Sequence, residues 1–126
     1  MASILLIGLD EGLSQTRAAV LAKTHATVVR KTDLGNGVSQ AFDLVVLCHT
    51  VPEAEREAWS IEVRKRWPNV RIILIAKPWS DQRPRYVDAQ ISWGNPEELL
   101  FAVNRLLGPS LHQIPTPSAL PQCKSA

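Results

Sequence analysis

The chain has only two cysteines, Cys48 and Cys123, and they show neither metal-ligand spacing nor the pattern of a disulfide framework. That argues for a reduced compartment and against a cysteine-built metal centre. Long apolar runs are missing too. The first one, Ile4 to Ile7, has no basic segment before it and is far too short for a signal-peptide core or a membrane span. A soluble, cytoplasmic protein without a membrane partner is expected. Charge excess is also lacking: 14 Lys and Arg against 12 Asp and Glu leave a net +2. This falls short of the basic footprint of a nucleic-acid binder, so no nucleic-acid partner is expected. Gly8, Gly12, Gly35 and Gly37 fall into neither a dinucleotide fingerprint nor a P-loop. No cofactor and no metal are expected.

What is present is an ordinary globular composition, 45% hydrophobic and 21% charged over 126 residues, with room for one core. The organising stretch is Phe42 to Pro52, FDLVVLCHTVP. Its four consecutive apolar residues between polar ends suit a central strand buried on both faces of a parallel sheet. Ligands and chemistry gather beyond the carboxyl ends of such strands, which singles out Cys48, His49 and Thr50.

In chain order, Ile4 to Ile7 predicts a strand, and Asp10 to Lys23 a helix with Asp10 as N-cap and Leu13, Val20 and Leu21 recurring at helical spacing. Ala26 to Lys31 predicts an edge strand. The glycines between Thr32 and Gln40 leave space for one helical turn at most. After Pro52 a helix is predicted, with acids in its first turn, Arg64, Lys65 and Arg66 in its last, and an apolar face of Ala54, Ala58, Trp59, Ile61 and Val63. Arg71 to Ala76 repeats the buried-strand pattern. Lys77 to Val87 is rich in proline and charge, so its helix should be reduced to a loop. Ala89 to Ser92 predicts a weak strand. Pro96 to Leu107 predicts a helix that Gly108 ends. Pro109, Pro115, Pro117 and Pro121 mark residues 109–126 as a disordered tail, which leaves 1–108 as the domain. Strands and helices alternating in this way predict a three-layer α/β/α sandwich whose five-stranded parallel sheet has the order 2-1-3-4-5, a flavodoxin-like arrangement with reduced second and fourth helices.

DLVVLCHTVP at Asp43 to Pro52, TRAAVL at Thr16 to Leu21 and PEELLFAVNRLLG at Pro96 to Gly108 resemble the receiver domain of bacterial two-component response regulators. The resemblance implies a phosphoacceptor aspartate where Cys48 stands. It also implies an acidic pair holding Mg²⁺ where Gly8 and Leu9 stand, leaving Asp10 alone of the acidic run. A switch hydroxyl belongs at Ile75 and Ala76, and a lysine just after the fifth strand, where Ser92, Trp93 and Gly94 stand. Lys77-Pro78-Trp79 has the look of the family's Lys-Pro-aromatic triplet but follows the fourth strand. The expectation is a degenerate, or pseudo-, receiver: not an enzyme, no catalytic residue, acting by protein-protein contact with a sensor kinase or another signalling protein, or with a second copy. Trp79, Tyr86 and Trp93 fall in the segments of the receiver output surface and form the candidate interaction surface. Arg56, Arg64, Lys65, Arg66 and Arg71 read as a solvated, dipole-matched helix end rather than an anion patch.

The alternative is a flavodoxin-like small-molecule or thiol-redox domain using the cleft at Cys48, His49 and Thr50. It lacks a hydroxyl-rich phosphate loop, and strand neighbours such as Cys48 and His49 face opposite ways unless the strand has already ended. Cys48 is expected to be a small buried side chain.

Overall fold

The computed structural model describes residues 2–34, 40–77 and 83–112, with side chains through residue 107. The elements in chain order are β1 (Ser3–Ile7), α1 (Glu11–Ala22), β2 (Thr27–Lys31), β3 (Leu44–Leu47), α2 (Glu53–Arg66), β4 (Arg71–Ala76), β5 (Ala89–Ser92) and α3 (Pro96–His112). All four strand pairings are parallel, in the predicted order β2-β1-β3-β4-β5. Ile7 lies level with both Lys31 and Leu47, so β1, β2 and β3 end together and present one carboxyl edge.

Alternation along the strands sends side chains into two cores. Ile4, Leu6, Leu44, Val46, Ile73 and Ile75 pack with Leu21 of α1 and Leu99 and Val103 of α3. Leu5, Ile7, Val45, Leu47, Ile72 and Leu74 pack on the opposite side with Val63 of α2, Phe42 and Val87. The apolar runs are continuous because both faces of the sheet are covered, and each fully buried side chain of this size contributes ~1.5–3 kcal/mol. No helix separates β2 from β3 or β4 from β5 among the described residues.

Three expectations need correction. First, the face that α1 buries is Ser14, Arg17 and Leu21, while Leu13 is exposed. The residues sit one turn apart, so the stripe is helical as predicted, but its first two members are polar and complement the polar edge of the sheet. Second, α2 turns Trp59, Ser60 and Val63 inward and leaves Ala54, Ala58 and Ile61 outward. Trp59, Val63 and Trp67 stand four residues apart, and the large indole areas outweigh the alanine methyls in setting the phase. Trp67 meets Phe42 edge-on at 5.2 Å, and Ser60 Oγ donates to the Arg56 carbonyl. Third, α3 continues through Gly108 to His112. One poor helix former costs only about 1 kcal/mol against the gain from propagating a long helix. Residues 113–126 of the expected tail lie outside the described residues.

Candidate functional site

The carboxyl edge is assembled from two loops. In the loop after β1, Gly8 N–H donates to the Lys31 carbonyl and Leu9 N–H to Thr50 Oγ1 at 2.9 Å, tying it to the loop after β3. Asp10 is spent on α1: its Oδ1 accepts from Leu13 N–H at 3.0 Å as the predicted N-cap. Gly8 is needed here for close approach, since a Cβ at that position would stand 2.9 Å from Cys48 Sγ and 3.0 Å from Ser14 Oγ. In the loop after β3, Val51 N–H donates to the Cys48 carbonyl, and Arg56 of α2 holds the turn from below, donating to the Val51 and His49 carbonyls at 2.9 and 3.0 Å.

β3 ends at Leu47, so Cys48 and His49 are already off the strand, and one side chain reaches both of them. The Arg17 guanidinium stands near enough to the Cys48 thiol to pull its pKa down, and brings Nη2 to 3.4 Å from His49 Nδ1. Arg17 is only 7% exposed. Its Nη1 and the hydroxyl of buried Ser14 have no hydrogen-bond partner among the described residues. Neither residue is evident from a motif search; the available signal was two polar residues on the stripe that leads to Leu21. Burial pushes the Cys48 thiol above its ordinary value of 9.0, against the pull of Arg17. Burial first, then the charges of Arg17, Lys77 and Arg56, hold His49 below its ordinary 6.5, with Asp10 opposing.

Of the other candidates, Ile75 and Ala76 are buried at the end of β4, and Ser92 N–H donates to Glu98 Oε1 at 3.1 Å. Trp93 is 38% exposed and packs edge-on against the His49 ring at 4.5 Å. Tyr86 packs on the α2 side of the sheet, so the structure does not bring it beside Trp93. Trp79 lies outside the described residues. Two of the basic residues that close α2 are engaged: Arg64 donates to the Tyr86 carbonyl and pairs with Asp88, and Arg66 pairs with Glu62, while Lys65 is exposed.

No protein-family model matches the chain, and no curated protein matches it in sequence. Solved structures do. A receiver domain protein from Methanospirillum hungatei superposes with a TM-score of 0.72 at 19% identity, covering 86% of this chain and 94% of that one. The response regulator protein TrrA from Thermotoga maritima, solved with Mg²⁺ and BeF, gives 0.71 at 23% identity over 85% and 100%. This chain has the fold of a response regulator receiver domain. A putative pilus assembly protein from Burkholderia thailandensis superposes on the chain as well, at a TM-score of 0.69 and 19% identity over 86% and 99%. The Mg²⁺ that receiver chemistry employs does not suit this edge. Gly8 and Leu9 offer no side-chain oxygen, Asp10 caps a helix, and a guanidinium occupies the interior. Among the described residues no three His, Cys, Asp or Glu side chains are grouped to hold a metal ion, and no helix is long and apolar enough to cross a membrane.

Proposed function

We propose that this chain is a pseudo-receiver: a signalling module that keeps the receiver fold, transfers no phosphoryl group and acts by protein-protein contact. The observation that supports this reading is the buried Arg17 guanidinium beside Cys48, the residue that the sequence resemblance aligns with the acceptor carboxylate. A neutral, buried thiol beside a cation is a poor phosphoryl acceptor, and no carboxylate pair is present to recruit Mg²⁺ there. The same burial and raised pKa weigh against the thiol-redox alternative.

The docking face this favours lies around exposed Trp93, with Leu9 and Leu13 also exposed on the loop and helix at the carboxyl edge. The partner would be a sensor kinase, another signalling protein or a second copy, and the setting cytoplasmic. The test is intact mass and amide NMR with Mg²⁺ and a small phosphoryl donor, beside a metal-free control. Unchanged mass and unchanged shifts are expected. A phosphoryl adduct with shifts spreading from Cys48 to Trp93 would overturn the proposal.

A further inference from the structure

We propose that His49 is a proton-operated latch on Trp93: the neutral imidazole, seated against Arg17, holds the indole at the carboxyl edge, and protonation breaks both contacts together. The two contacts meet on one ring. Arg17 Nη2 lies 3.4 Å from His49 Nδ1, and the Trp93 ring packs edge-on against the imidazole at 4.5 Å, with 73° between the planes. A guanidinium has donors only, so this approach makes Nδ1 the acceptor and puts the neutral ring's proton on Nε2. A second proton, on Nδ1, sets one N–H against another and two cations side by side. The imidazolium cannot keep the seat that the imidazole occupies.

The histidine yields rather than the arginine. Arg17 is buried on the inward face of α1, while His49 is half-buried in the loop after β3. The backbone on either side of the ring is fixed, because the His49 carbonyl accepts from Arg56 and Thr50 Oγ1 accepts from Leu9 N–H. The ring therefore leaves by rotating about its side-chain bonds. Charges on the surrounding elements favour that movement. Arg17 of α1, Lys77 after β4 and Arg56 of α2 all oppose an imidazolium, and the one acid acting on it, Asp10, already accepts from Leu13 N–H as the α1 cap. Trp93 shares the wall of a cavity of about 250 Å³ with Leu13, Thr16 and Leu99, so its position shapes the space between α1 and α3. The consequence for a docked partner rests on the pseudo-receiver reading, whereas the coupling of the two rings does not; a phosphoryl adduct would sink the first and leave the second standing.

The test is NMR of the full chain from about pH 8 to about pH 5, either side of the ordinary histidine range, following the His49 imidazole, the Trp93 indole N–H and the NOE between the two rings. The NOE is expected at the alkaline end and should be lost once His49 is protonated. The Trp93 indole should shift with the His49 midpoint while the amides of β1 and β3 keep their positions. His49→Gln, which stays neutral, should leave the Trp93 indole unresponsive over the same range. Arg17→Met removes the repelling cation, so it should raise the His49 midpoint and preserve the NOE at the acid end; if that variant does not fold, the wild-type and His49→Gln titrations decide. An NOE that is absent at the alkaline end or survives protonation in the wild type would overturn the latch. So would a Trp93 shift that persists in His49→Gln, or loss of the whole amide spectrum before the imidazole titrates.

Discussion

Gly8 lies directly against Cys48 where the segments after β1 and β3 meet. A methyl there would meet Cys48 Sγ at 2.9 Å, so Gly8→Ala should cost about 1–3 kcal/mol by overpacking. Combining it with Cys48→Ala should recover part of that loss in urea denaturation, because the two changes share one contact. Cys48 itself, 1% exposed with its thiol pushed up by burial, should label with an alkylating reagent at neutral pH only as fast as the protein opens. His49 contributes to the pH dependence. Its folded pKa lies below 6.5, so the unfolded chain binds its proton first as pH falls, and stability should drop on acidification through 6.5 and level off below the folded pKa. His49→Gln should flatten that portion of the profile, and an imidazole NMR titration reads the folded pKa directly. At this scale the sequence reveals which residues are absent more readily than which have moved in. That Gly8 and Leu9 bring no carboxylate is visible directly, whereas the guanidinium that fills the edge comes from a helix position where arginine ordinarily means solvent.

Two elements hold the edge from opposite sides. Asp10 caps α1, and Asp10→Ala should destabilise the fold by about 1 kcal/mol in thermal or urea unfolding. Arg56 reaches from α2 to the carbonyls of His49 and Val51, and Arg56→Ala should cost about 1–3 kcal/mol, with amide shifts concentrated at His49 to Val51. The elements were legible because each strand is an uninterrupted apolar run and each helix opens with acids or an N-cap. The helix phases were not. In α1 the apolar Leu13 suggested the wrong face, and in α2 the alanine spacing competed with a wider-set pair of tryptophans that carry far more area. Periodicity reports that a stripe exists, while the volume and polarity of what it faces decide which stripe is buried.

For the whole molecule, alternation gave the parallel α/β class, and the strand order is the most economical of the few that short links between buried parallel strands allow. Function is less legible, because one fold hosts many functions and recognition depends on the surface rather than on the scaffold. If this chain carries no Mg²⁺ site, millimolar Mg²⁺ should leave its melting temperature unchanged, as read by calorimetry. The position of β1, hydrogen-bonded along both edges to β2 and β3, has a further consequence for biosynthesis. β1 leaves the ribosome before either neighbour and can join β2 once α1 has formed, yet its other edge stays open until Leu44 to Leu47 emerge. Fragments ending before Phe42 should therefore precipitate or be held by chaperones, and those extending through Ala76 should gain solubility as that edge closes.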